Sequence, residues 1–169
     1  MRVSRRQLLG LFMAFGAVAR WLPAWAGKAT IKPSLQATLR VWLDTLIPAD
    51  STPSATQLGV DRLLLDEVLQ NPGYRKLLIK GLAWLDTQAQ QQQAANFLAL
   101  DQAGRDTVVK IAAAADPGSH ERLFFELTRH DAFSWYYSQP ASWDGIPGFH
   151  GPPQPLGYPD YRRPPVRKP

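Results

Sequence analysis

The 169-residue sequence predicts an all-α domain of about five helices, orthogonal or bundle-like, followed by an extended Pro/Gly/aromatic tail. Three observations carry this expectation. Apolar residues recur at helical spacing between Ser34 and Tyr137. No window in that stretch shows sustained period-two alternation with turn signals. The helical stretches are separated by short Asp, Asn, Pro and Gly breaks.

The elements follow in order. Leu35, Leu39, Trp42, Leu43 and Leu46 fall at i, i+4, i+7, i+8 and i+11, one apolar stripe, with Ser34 placed to cap it and Pro48 to end it. A polar loop, Asp50-Ser51-Thr52-Pro53-Ser54-Ala55, leads to a second helix over Val60 to Leu69, which Asn71-Pro72-Gly73 breaks. Tyr74, Leu77, Leu78, Gly81, Leu82 and Leu85 line a longer third helix that fades into Gln90 to Gln93, a solvated helix end or loop. A fourth, Gln102 to Ala115, presents Val108, Val109 and Ala112 and stops at Asp116-Pro117-Gly118. Ser119 then caps a fifth that carries Leu123, Phe124, Leu127 and Trp135.

Two appendages flank this domain. Residues 140–169 hold nine of the fifteen prolines, a density that forbids helix and favours extended or polyproline backbone. Trp143, Phe149, Tyr158 and Tyr161 are interleaved with this Pro and Gly and need a surface to lie on: the domain's own helices or another protein. At the other end stand a basic start, an apolar run from Leu8 to Ala19 and an A-x-A site at Ala24-Trp25-Ala26. Those are the three parts of an export signal, and the run is too short to span a hydrocarbon core of about 30 Å. Arg5-Arg6 before two leucines resembles a twin-arginine (Tat) signal, the address of proteins that cross a membrane already folded; the alternatives are a general secretory signal that happens to contain Arg-Arg, and a retained membrane anchor. The expected organisation is a signal peptide over 1–26, a helical domain over 27–139 and a partner-binding tail over 140–169, in an exported, periplasmic chain.

The signal also accounts for much of the charge. The whole chain carries 19 basic and 14 acidic residues, net +5, with a pI near 9.7. Without the four arginines of residues 1–26 the mature chain is 15 basic against 14 acidic, or +1. Arg162, Arg163, Arg167 and Lys168 supply four of those bases, so residues 27–161 stand at 11 against 14, or −3. A slightly acidic domain does not look like a nucleic-acid binder. The basic tail could touch anionic lipid headgroups, though four charges give only a modest, salt-sensitive attraction.

The chain has no cysteine, which excludes disulfides, Fe–S clusters, thiol nucleophiles, a lipidated N-terminal cysteine and covalently attached haem. Its three histidines, His120, His130 and His150, lie in no metal-ligand spacing. His130-Asp131 has the residue types of a base and its orienting group, but adjacent residues on a helix rarely face one another. His150 is better placed to hydrogen-bond a partner's backbone. Asp44, Asp50 and Asp61 read as caps and solvated faces. Gly145-Ile146-Pro147-Gly148-Phe149-His150-Gly151 has the wrong spacing and context for a dinucleotide site, and neither a P-loop nor a nucleophile elbow occurs. The sequence therefore predicts no catalytic residue, no cofactor-binding residue and no metal ligand in this chain. A Tat signal without a cofactor site suggests that the chain travels with a cofactor-bearing partner that has no signal of its own.

Several segments together resemble a family. They are Ser4-Arg5-Arg6; Asp44-Thr45-Leu46-Ile47-Pro48-Ala49-Asp50; the Gly81-Leu82 helix followed by Phe97; and Phe124-Phe125. Tyr136-Tyr137-Ser138 before Pro140, Trp143, and Gly157-Tyr158-Pro159-Asp160-Tyr161 complete the set. From Leu35 to Tyr161 the chain resembles subunit 3, the small or gamma subunit, of gluconate 2-dehydrogenase and related membrane-associated flavin dehydrogenases. It is short for that family, with little between the cleavage site and the first helix. The resemblance implies a noncatalytic subunit. In that family a large subunit carries FAD and oxidises a sugar or sugar acid, a multihaem cytochrome c subunit often passes electrons to quinone, and the small subunit supports folding and Tat export of the flavin subunit. The strip expected to meet such a partner comprises Trp135, Tyr137, Trp143, Phe149, His150, Tyr158 and Tyr161, since stable interfaces are enriched in aromatics and arginine. Two other classes compete: a stand-alone periplasmic binding module that stacks sugars on Trp and Tyr, and an enzyme built on His130 and nearby carboxylates.

Overall fold

The computed structural model describes residues 30–143 and Gly148. Within them lie five α-helices: α1 Pro33–Leu46, α2 Val60–Gln70, α3 Pro72–Gln91, α4 Gln102–Ala114 and α5 His120–Tyr137. Two 3₁₀ turns, Phe97–Ala99 and Pro140–Ser142, complete the order, and no strand occurs among the described residues. The all-α expectation holds, with the predicted number of helices.

Trp42 of α1 is the centre of the core. It is fully buried, its ring stacks on Phe124 at 5.3 Å between centroids, and Phe97 and Phe125 meet it edge-on at 6.1 and 6.5 Å. Its indole N–H still needs an acceptor, because a buried donor left unpaired costs about 1–3 kcal/mol. The Thr128 hydroxyl supplies one at 3.0 Å and itself donates to the Phe124 carbonyl at 2.7 Å. Around this group pack Leu39 and Leu43 of α1, Leu64 and Val68 of α2, and Leu78, Leu82 and Leu85 of α3. Val108 and Ala112 close the α4 side, and α5 packs against all four other helices. Gly81 of α3 faces Phe124 so closely that a Cβ there would overlap the ring.

The helix ends show where local chemistry differs from the sequence reading. Ser34 does not cap α1: Lys32 is the N-cap residue, Pro33 occupies the first helical turn, and no side chain caps the end. Proline has its φ pre-set for that turn and lacks the N–H that would need capping, so it starts the helix by itself. Asn71-Pro72-Gly73 is not a three-residue break. Asn71 ends α2 and caps α3, accepting from the Tyr74 N–H at 3.1 Å, and Pro72 and Gly73 already lie in α3. Asp101 and Ser119 cap α4 and α5 through the Gly104 and Arg122 N–H groups. The glutamine run is a helix end as expected, with α3 stopping at Gln91 and Gln93 left-handed at φ 62°.

Two further readings are corrected. Leu123 and Leu127 are 41% and 40% exposed, whereas α5 buries Phe124, Phe125, Thr128, Ala132 and Tyr136. The buried stripe is turned by about one residue, because Thr128 must reach the Trp42 indole. Proline did not forbid helix throughout the tail, since Pro140–Ser142 is a 3₁₀ turn with proline at its start.

Candidate partner-binding surface

The surface is built where α5 ends. Tyr136 is buried; its hydroxyl donates to the Pro53 carbonyl at 2.7 Å and lies 2.9 Å from the Thr52 hydroxyl. That fixes the loop after α1 against the C-terminal end of α5. The loop is also fastened from within. Asp44 accepts from the Thr56 N–H at 2.9 Å and the Thr56 hydroxyl at 2.6 Å, and the Ile47 carbonyl accepts from the Ala55 N–H at 3.1 Å. Asp50 takes the Thr52 N–H and hydroxyl, each at 2.8 Å. These bonds to its charged form hold the exposed Asp50 carboxyl below the usual carboxylate range. Both aspartates of the Asp44–Asp50 segment are therefore latches, in line with their reading as caps. Asp61 departs from the solvated half of that reading: it is 6% exposed and lies 3.6 Å from the Arg40 Nε.

On this frame sit the aromatics. Tyr137 is 48% exposed, with Phe133 one turn earlier stacked beside it at 5.9 Å and 25°. Trp143 folds back over the helix end and donates its indole N–H to the Tyr137 carbonyl at 3.1 Å. Together with Ile47, Pro48, Asp50 and Thr52, Phe133 and Tyr137 line a cleft of about 290 Å³. Trp135 does not join them. Residues two apart on a helix point in nearly opposite directions, and Trp135 turns to α2, where its indole lies 3.3 Å from the Glu67 carboxylate. Phe149, His150, Tyr158 and Tyr161 lie outside the described residues, as do Arg5, Arg6, Ala24 and Ala26. Sequence reasoning missed Phe133, although its i, i+4 spacing to Tyr137 was the signal available.

His130 and Asp131 diverge as adjacent helix residues should. His130 is exposed beside Arg129, Phe133 and Ser134, whereas Asp131 accepts from the Tyr74 hydroxyl of α3 at 2.6 Å. Burial, then the Asp131 hydrogen bond and charge, then the charge of Glu67, push the Tyr74 phenol far above its ordinary value of 10. A phenol whose pKa is raised by folding contributes stability that is complete below the unfolded value and is lost as pH rises beyond it. Urea midpoints should therefore fall between about pH 10 and 11.5, and Tyr74→Phe should flatten that limb. An unchanged alkaline slope in Tyr74→Phe would count against this contact.

Among the described residues no three His, Asp or Glu side chains come together as a metal site, and no helix is long and apolar enough to cross a membrane. No curated protein and no solved structure matches the chain. A family model, gluconate 2-dehydrogenase subunit 3, matches residues 33–148, which span all five helices, the latched loop and the Phe133–Tyr137–Trp143 group. With more than half of its length matched, this chain belongs to the gluconate 2-dehydrogenase subunit 3 family.

Proposed function

We propose that this chain is the noncatalytic small subunit of a periplasmic, membrane-associated, FAD-dependent dehydrogenase of sugars or sugar acids. It assists folding of the large flavin subunit, carries it through the Tat translocon and stays bound to it, with or without a multihaem cytochrome c subunit. FAD, and haem c where present, belong to the partners. The observation that supports this most is a family of dehydrogenase subunits combined with an aromatic shelf, exposed Phe133 and Tyr137 beside half-buried Trp143, on a latched helix end. Aromatic anchors on a rigid frame are the side chains that carry heteromer affinity.

The test is to tag the chain in its native host, isolate the periplasm and identify what co-purifies. A stoichiometric, yellow, FAD-containing protein several times larger, without a signal peptide of its own, is the expected result. Recovery of a colourless monomer would instead favour a stand-alone binding module using the cleft at Tyr137. Truncating one anchor should weaken the complex by about 2 kcal/mol, roughly 30-fold in Kd. Co-purification that survives Trp143→Ala combined with Tyr158→Ala would remove the tail from the interface.

A further inference from the structure

A different surface lies at the start of α5. A cleft of about 500 Å³ opens between α3, α4 and the α4–α5 loop, lined by Trp84, Gln88, Ile111, Asp116, Ser119 and Glu121 together with Ala114 and Ala115. Trp84 is half-buried against the core and Ile111 is 42% exposed, so the cleft has an apolar wall open to solvent. Gln88 is only 9% exposed, yet its amide makes no hydrogen bond among the described residues. A side-chain amide offers donors and an acceptor, the pattern that satisfies one peptide unit of an extended chain. Asp116 and Glu121 form no ion pair among the described residues, and no basic residue lines the cleft.

We infer that this cleft is the docking site of the chain's own C-terminal end, Arg162-Arg163-Pro164-Pro165-Val166-Arg167-Lys168-Pro169. That segment carries four cations and no acid, which complements the two unpaired carboxylates. Its prolines favour a polyproline helix, a preformed shape that docks on aromatic-lined grooves at low entropic cost. The reach is sufficient. The cleft and Trp143 lie toward opposite ends of α5, whose 18 residues span about 27 Å. Nineteen residues lead from Trp143 to Arg162, and at about 3.1 Å each they extend to nearly 60 Å. Because the segment is tethered, docking within one chain has an effective concentration near millimolar and outcompetes a second copy in dilute solution. The tail then becomes a strap held at both ends, which reduces the freedom of Phe149 and Tyr158 before any partner arrives. This inference does not depend on the dehydrogenase partner.

The chain lacks cysteine, so an introduced pair reports on this contact alone. In the purified mature chain, Ala115→Cys with Val166→Cys should form an intramolecular disulfide under mild oxidation. It should do so at least about tenfold faster than Ile79→Cys with Val166→Cys, whose first position is exposed elsewhere on α3. Adding Asp116→Asn and Glu121→Gln should slow the reaction about fivefold, the effect of removing two solvent-exposed ion pairs. Equal rates for the two pairs, no response to the charge removal, or disulfides formed only between chains would each overturn the proposal. Without introduced cysteines, trypsin should cut after Arg162 and Arg167 more slowly in the unaltered chain than in the Asp116→Asn, Glu121→Gln variant. Equal cleavage would again overturn it.

Discussion

Gly81→Ala should lower the melting midpoint of the mature chain by about 10 °C, a loss near 2 kcal/mol in a domain of this size. Helix propensity alone predicts the opposite sign. Gly81 sits inside the 20-residue α3, where alanine is favoured over glycine by about 1 kcal/mol. Sterics oppose that gain. A Cβ at Gly81 would overlap Cγ and Cδ2 of Phe124 and stand 2.7 Å from its Cε2. The ring has no room to retreat, since it is fully buried and stacked on Trp42, whose indole is held by Thr128. Either α3 and α5 separate or the whole aromatic group shifts, and overpacking of this kind costs about 1–3 kcal/mol or more. The clash should win. Calorimetry on the two proteins decides, and a midpoint that rises or stays put would mean that the α3–α5 approach yields easily. Gly81→Ala combined with Phe124→Leu should lose less than the sum of the single changes, because the smaller side chain removes the overlap.

The same residue marks the boundary of what the sequence makes legible. All five helices could be read from periodicity and breaks, since an apolar stripe and a proline act locally. Gly81 could be placed on the buried face of its helix, but the reason for a glycine there is Phe124, forty-three residues later. The buried side of α5 was misjudged for a related reason. That helix carries Leu123, Leu127 and Phe133 on one side and Phe124, Phe125 and Tyr136 on another, so hydrophobicity does not choose between them. A polar contact chooses: Thr128 must face Trp42. At the candidate surface, Trp135 and Tyr137 look alike as neighbouring aromatics, and only helical geometry sends one to Glu67 and the other to solvent. Residue type made the aspartates of the Asp44–Asp50 segment legible as caps, whereas the backbone groups they hold depend on how the loop folds back on α1.

If the chain is the Tat-exported escort proposed above, Arg5→Lys with Arg6→Lys should strand it in the cytoplasm, and the proposed flavin partner with it. The substitution keeps both positive charges and the apolar run that follows, so a general secretory signal would work as before. It removes the planar guanidinium fork, which an ammonium does not replace where a receptor reads geometry rather than charge. Cell fractionation with antibodies to both subunits, together with periplasmic dehydrogenase activity, reads the result in one experiment. Loss of both proteins from the periplasm is the outcome that escorted export requires, because a partner without a signal can cross only while folded and attached. Continued export of the variant would show that the arginine pair is not read, and a route that threads unfolded chains could not carry a preassembled flavin protein. If this chain is retained while the flavin protein still reaches the periplasm, the partner has its own way out. The small subunit would then be a companion that joins after export, and the aromatic shelf at the end of α5 would serve assembly rather than transport.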